Sequence, residues 1–431
     1  MAAILNIIKL SLLFLINLPV FIFNKEKAVY NFLKSAGATF IKLGQLLSTR
    51  PDLVGESMAE KLSSFQDKVP AFDEKKVKQI IKQRSSSDFA TDIVNINYKA
   101  TASASIAQVH KATLKSGEDV AIKILRPNIR RTMNRDIKTL QILVFFIKIF
   151  SKFYGKAFGD ILRLLITTSK TELDLSLEAA AASELKDNLN SIEGFYVPKI
   201  YWKYTNSNIL VLEWIDGIPF SNMQKIRSSK ADLKKVAKNL VISYLTQVYK
   251  YGHFHADMHP GNLFLLKNGD IGVVDFGITS SIDSKTRIAV AEILINFLKK
   301  DYRKVAKIHL DAKMVPEDTD IDQLALHSRK VGESIIGSKV KDISLATLLE
   351  NLITMTRAYN LKTDPQLLLL QKTILLVEGV AMSLDEDINI WEIASPWMKD
   401  WARTNIGFDA KIRDFLIDLE KSVKNLLLKN I

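Results

Sequence analysis

The sequence contains no cysteine, and that absence removes disulfide staples, thiolate metal sites and thiol nucleophiles together. Chemistry in this chain must therefore rest on carboxylates, lysines, amides and metal. Internal repeats and low-complexity tracts are also missing. Its 47% hydrophobic and 25% charged residues fit an ordinary globular chain of 431 residues, long enough for two or three lobes with a real core. Acidic residues are the minority charge, 47 against 60 basic ones, and the net +13 favours an anionic surface. The lysines are scattered over helices such as 75–82 and 234–238 without an aromatic-laced recognition motif. Nucleic acid is accordingly set aside as a partner, and a membrane surface is preferred.

Residues 2–23 are apolar apart from Asn6, Lys9, Ser11, Asn17 and Pro19, so they approach the length of a membrane span. The stretch can span, lie flat on a bilayer, or pack as a helix on the protein. Lys9, Pro19 and the lack of a small-residue cleavage site argue against a cleaved signal peptide. Lys25 and Lys27, just beyond, favour a cytoplasmic body. A second apolar run, from Leu367 to Ala381, is interrupted by Gln371, Lys372, Thr373 and Glu378 and reads as a buried core helix.

Two segments carry the chemistry. His255-Ala256-Asp257-Met258-His259-Pro260-Gly261-Asn262 places an Asn five residues after an Asp, and Val273-Val274-Asp275-Phe276-Gly277 follows at a distance that suits two short strands joined by Lys267-Asn268-Gly269-Asp270. In kinases an Asp in this loop accepts the nucleophile's proton, the Asn holds one metal ion, and the Asp of Asp-Phe-Gly holds the metal that bridges the phosphates. Asp257, Asn262 and Asp275 fit those roles on one Mg-ATP, or Mn-ATP. The competing reading makes His253, His255, Asp257 and His259 a metal-hydrolase site. The conjunction of spacings favours the kinase, with His255 as scaffold hydrogen bonded to backbone.

Upstream, 93–98, 106–114 and 120–125 read as strands, a helical block follows from 130 to 190, and 196–202 with 209–215 reads as a final strand pair. Val120-Ala121-Ile122-Lys123 supplies the strand lysine that contacts phosphates, and Glu178 is its helix partner. The 55 residues between them exceed an ordinary kinase's spacing and require a helical insertion, roughly 130–168. Alanines replace the glycines of the phosphate loop in Ala102-Ser103-Ala104-Ser105-Ile106-Ala107, predicting a stiffer loop with a steric cost wherever φ turns positive. After Gly277 there is no long activation segment and no Ala-Pro-Glu anchor, so the platform for an extended peptide is missing. The fold class is α+β, a protein-kinase-like two-lobe architecture. Its parts are a hydrophobic membrane-associating segment, 1–24, a helical extension, 25–92, a small lobe, 93–215, a large lobe, 216–408, and an amphipathic helix, 409–431.

These residues resemble the UbiB family of atypical kinases from about Phe40 to about Phe408. The signature Lys-x-Gly-Gln is Lys42-Leu43-Gly44-Gln45, the Ala-rich loop lies within Ala102 to His110, and Glu-x-Asp is Glu172-Leu173-Asp174. His-Ala-Asp-Met-His-Pro-Gly-Asn, Asp301-Tyr302-Arg303-Lys304-Val305-Ala306 and Leu370-Gln371-Lys372-Thr373 are similar to the bacterial branch. The resemblance implies that the Lys-x-Gly-Gln helices fold over the nucleotide pocket, with Lys42 reaching Glu172 beside the metal and phosphates, and with Gln45 and Asp174 in the site. It adds Glu213 to the nucleotide contacts. It further implies ATPase or small-molecule kinase activity dependent on divalent metal, ubiquinone biosynthesis at the cytoplasmic face of a bacterial inner membrane, lipid quinone precursors and other ubiquinone enzymes as partners, and room for a homodimer. Bacterial members usually close with a transmembrane pair, whereas this sequence stops at Ile431 after its amphipathic helix; either this branch lacks the pair or the chain is truncated, and attachment is then expected from 2–23 and that helix. The alternatives are a small-molecule kinase of the aminoglycoside or choline type and a non-catalytic scaffold. The intact Lys123, Glu178, Asp257, Asn262 and Asp275 speak against the scaffold.

Overall fold

The computed structural model describes residues 2–48, 50–63, 65, 71–84, 87–336, 344–358 and 365–406. The expected amphipathic helix at 409–431 lies outside the described residues. Two compact units emerge, one of Met1–Ala181 with Lys199–Trp214, the other of Ala182–Pro198 with Ile215–Ile431.

The first unit opens with helices α1 (Ala2–Phe23), α2 (Lys25–Ala36), α3 (Ala38–Ser48), α4 (Pro51–Val54), α5 (Glu56–Ser63), α6 (Glu74–Arg84) and α7 (Ser87–Asp92). Strands β1 (Ile93–Val94), β2 (Ala102–Ser103), β3 (Ala107–Leu114) and β4 (Asp119–Leu125) follow, then α8 (Ile129–Phe150), α9 (Lys152–Glu172) and α10 (Leu175–Leu189). After β5 (Phe195–Tyr196), which pairs in the second unit, β6 (Ile209–Glu213) completes an antiparallel sheet in the order β1-β3-β4-β6, with β2 also on β3. Period-2 alternation sends Val120, Ile122 and Ile124 into one core with Val77 and Ile80 of α6 and Phe89 of α7. Lys123 is left on the opposite face.

A second core joins Leu10, Leu33, Phe40, Ile41, Leu62, Phe65, Leu140, Ile161 and Leu165. Its polar hub is Asp136, only 2% exposed, whose carboxylate accepts from Asn6 Nδ2 at 3.1 Å and Thr39 Oγ1 at 2.8 Å and so ties α1, α3 and α8. A Cβ added at Gly44 would stand 2.6 Å from the Phe65 ring. The glycine of Lys-x-Gly-Gln is therefore what lets that ring, stacked on Tyr30 at 4.3 Å, lie against α3.

In the second unit, β7 (Gly217–Pro219), α11 (Met223–Arg227), α12 (Leu233–Leu245), β8 (His253–His255), β9 (Leu263–Leu266), β10 (Ile271–Val273) and β11 (Thr279–Ser281) precede α13 (Ser284–Leu298), α14 (Tyr302–Asp311), α15 (Ile321–Ile336), α16 (Leu345–Ala358), α17 (Pro365–Leu384) and α18 (Ile390–Asn405). Leu370, Ile374, Val377, Val380, Ala381 and Leu384 form the buried stripe of α17, and Tyr244 Oη of α12 donates to the Leu370 carbonyl. This apolar helix is part of the core, in agreement with the reading of its polar interruptions.

Two strand expectations need correction. Asn95 takes a left-handed φ of 51° and ends the first strand at Val94, although Ile96 and Tyr98 still pack on the core. The stretch 196–202 does not form a ladder with 209–215. Phe195 and Tyr196 run parallel to β10 instead, and a 3-10 turn at Trp202–Tyr204 leaves one bridge, Ile200 to Leu212.

Candidate active site

In the first unit, Lys123 Nζ lies 2.7 and 2.9 Å from the two carboxylate oxygens of Glu178. The side chains are only 12% and 8% exposed, so removing either partner strands a nearly dry charge at a cost of about 3–5 kcal/mol. The helices between them, α8 and α9, form the insertion that the long spacing requires. Lys42, otherwise on an apolar helix, forms an ion pair with Glu172 at the end of α9, and both side chains are nearly buried. Gln45 Nε2 donates to the Phe65 carbonyl at 3.3 Å.

Asp174 does not join Lys42. Its Oδ1 accepts from the Ser176 amide at 3.0 Å, capping α10, whose first turn carries Glu178. Glu213 ends β6, and its carboxylate accepts from the Lys199 amide at 3.0 Å.

The Ala loop differs from expectation in its mechanics. None of residues 102–107 has a positive φ, so the alanines carry no steric penalty. Stiffness comes from hydrogen bonds: Ala104 N donates to the Ala107 carbonyl at 2.9 Å, and the Arg126 guanidinium grips the Ala104 carbonyl at 3.0 and 2.9 Å and Ser103 Oγ at 2.8 Å. Burial pushes the Arg126 pKa down from its ordinary value. Sequence reading missed this clamp; the one signal was an arginine directly after a buried strand.

In the second unit, His255 is fully buried and bridges both motifs. Its Nδ1 accepts from the Asp257 amide at 3.1 Å, which leaves Nε2–H to donate to the Asp275 carbonyl at 2.9 Å. Desolvation lowers its pKa, keeping the ring neutral as this two-sided arrangement requires. Asn262 Nδ2 donates to the Asp257 carbonyl at 3.0 Å, and Val274 N donates to the Asn262 carbonyl at 2.9 Å. The β9–β10 hairpin turns at Gly269, φ 87°, and delivers Asp275 in a left-handed conformation, φ 63°. Asp257, Asn262 and Asp275 are thus fixed on one backbone network, with hard oxygen donors of the kind Mg2+ or Mn2+ takes.

The hydrolase alternative loses its ligands. His253 Nδ1 contacts Ser281 Oγ at 3.0 Å, His259 Nδ1 accepts from the Gly261 amide, and among the described residues no group of three His, Asp or Glu could hold a metal. Sequence reading also missed Lys372 as a site residue. From α17 its Nζ reaches Asp257 Oδ1 at 2.9 Å, and the visible signal was a lysine interrupting an apolar helix. Beyond Gly277 only β11, paired with β8, and the cap Asp283 precede α13, so no peptide platform intervenes.

A strand lysine paired with a helix glutamate, an Asp-to-Asn loop and Asp-Phe-Gly define a kinase-type enzyme. The ABC1 atypical kinase-like domain matches residues 64–309 and the UbiB helical domain residues 328–389. Curated relatives named "Probable protein kinase UbiB" include one from Histophilus somni, 37% identical over 87% of this chain and 71% of its own length, and one from Pseudomonas aeruginosa, 36% identical over 90% and 74%. A Mycobacterium tuberculosis protein solved as an erythromycin complex shares the fold, with a TM-score of 0.54 and 22% identity, over 85% of this chain and 92% of that one. The chain belongs to the UbiB family of ABC1 atypical kinases.

Proposed function

We propose that this chain is a divalent-metal-dependent ATPase or atypical kinase that supports ubiquinone biosynthesis at the cytoplasmic face of a bacterial membrane, acting on or presenting lipid quinone precursors. The observation that carries the nucleotide chemistry is the His255 bridge, which fixes Asp257, Asn262 and Asp275 together. In this reading Asp275 and Asn262 hold the metal, Lys123 contacts the phosphates while Glu178 orients it, and Asp257 accepts the proton of the attacking hydroxyl or water. A divalent cation held by Asp275 and Asn262 would supply positive charge against that developing on the phosphates. Lys42 and Glu172, held across α3 and α9, act as a gate over the nucleotide.

Protein substrates are disfavoured because β11 and α13 follow Gly277 almost directly. The membrane part rests on α1, a long apolar helix that leaves Leu12, Leu15, Ile16, Ile22 and Phe23 exposed, and on the names of the relatives.

The test is ATP turnover by purified protein, with Mg2+ or Mn2+, with and without anionic liposomes and quinone-precursor phenols. Asp275→Asn suits it because Asn tolerates the left-handed backbone, so only the charge is removed. We expect divalent-dependent turnover to fall at least about hundredfold. Turnover and ATP affinity unchanged in a folded variant would sink the reading.

A further inference from the structure

The insertion that separates Lys123 from Glu178 has a surface that the nucleotide chemistry leaves unused. Between Asp136 and Asp160 the chain has no carboxylate, yet it carries Lys138, Lys148, Lys152, Lys156 and five phenylalanines. All four lysines are exposed. So are Phe145, Phe146, Ile149, Phe150 and Phe153, with Phe150 87% and Phe153 67% open to solvent. Along α8 the exposed apolar positions 142, 143, 145, 146, 149 and 150 fall within an arc of about 160°, one broad face of the helix. A face this broad, with the exposed Lys148 outside it, is that of a helix lying at a bilayer interface.

The tip is a firm element. Ser151 caps both helices, as C-cap of α8 and N-cap of α9. At Gly155 an added Cβ would stand 2.4 Å from the Lys148 Cα, so the two helices meet backbone to backbone. The hairpin is anchored beside α1, through Asn6 to Asp136 and Thr139, and α1 itself exposes Leu12, Leu15, Ile16, Ile22 and Phe23.

We propose that the α8–α9 tip is a wedge that enters one leaflet of an anionic bilayer, its apolar residues among the acyl chains and its lysines at the phosphate level. Charge selects this occupant: an all-basic, acid-free tip matches an anionic headgroup layer. Depth follows from the same residues: Lys148 and Lys152 flank the Ser151 tip, so the seat is shallow, with the apolar side chains at the acyl boundary and the ammoniums among the headgroups. The inference deepens the membrane part of the proposed function and is independent of its nucleotide chemistry.

The lack of cysteine makes the test direct, since Phe150→Cys in the full chain gives one site for an environment-sensitive fluorophore. With vesicles of phosphatidylcholine containing phosphatidylglycerol we expect a blue shift and a several-fold rise in emission, little change with phosphatidylcholine alone, and none at a control label placed by Leu326→Cys on α15. Phe146→Asp with Phe150→Asp should weaken binding to the anionic vesicles at least about tenfold, with vesicle-free ATP turnover unchanged. A protein that floats with the vesicles while the label at 150 stays in water overturns the wedge and leaves α1 as the anchor. A shift that follows protein concentration without vesicles overturns it in favour of self-association. Failure to float at all refutes the membrane reading too, while ATP turnover still reports on the kinase.

Discussion

At Asp257 a lysine 115 residues away in sequence supplies the nearest cation, and the exposures of the pair, 47% for Lys372 and 23% for Asp257, decide what that contact does. So exposed an ion pair contributes little to stability, on the order of 1 kcal/mol or less. In the proposed function its leverage is orientation: the ammonium would hold in one rotamer the carboxylate assigned to take the proton. Lys372→Met should therefore lower kcat about tenfold and shift KM for ATP by less than about threefold, with Lys372→Arg recovering part of the loss. Steady-state kinetics on the three proteins read this out, and an unchanged kcat would reduce the contact to a surface tether. Lys42 and Glu172 differ in kind, because both are nearly dry and the loss of one strands the other. Asp257, Asn262 and Asp275 were legible because kinase chemistry fixes their spacing along the chain. Lys372 was not, because its partner is specified only once α17 has packed.

Elements divide along the same line between local and distant causes. The alternation in β4 and the turn at Gly269 are local, and sequence placed them; the cap at Asp283 is local too but was not read. Phe195 and Tyr196 look like any short apolar strand, and nothing near them names β10 as the partner; a parallel pairing of that range is settled by tertiary packing alone. Residue identities also misdirected the reading of the Ala loop, where the backbone avoids positive φ and Arg126 supplies the rigidity. Ala104→Gly should loosen that loop by restoring conformational freedom, costing roughly 1 kcal/mol of local order. We expect a measurable change in the ratio of ATP to ADP affinity by calorimetry. Identical affinities for both nucleotides would leave the loop as packing only.

Across the whole molecule, burial holds His110, His255 and His309 below the ordinary histidine pKa of 6.5, so the folded chain resists protons that the unfolded chain accepts. The sign follows: this stability is complete above about pH 6.5 and is lost as the pH falls through the lowered folded values. Asp92, brought down to about 2 by Lys203 and Tyr204, acts in a separate, more acidic window. Urea midpoints measured from pH 8 to pH 5 should decline mainly below 6.5, and His309→Gln should flatten the slope; a flat profile in the parent protein would refute it.

Asn6 and its partner Asp136 are 130 residues apart in the chain. At ~5–20 residues per second, translation leaves Asn6 without that carboxylate for roughly 6 to 26 s after its own synthesis. During that interval α1 can pack on α2, as Phe14 does against Phe32 at 6.5 Å, but its polar anchor on α8 does not yet exist. In the proposed function, order of synthesis thus gives the bilayer access to the face of α1 that α8 later covers, before the fold closes over it.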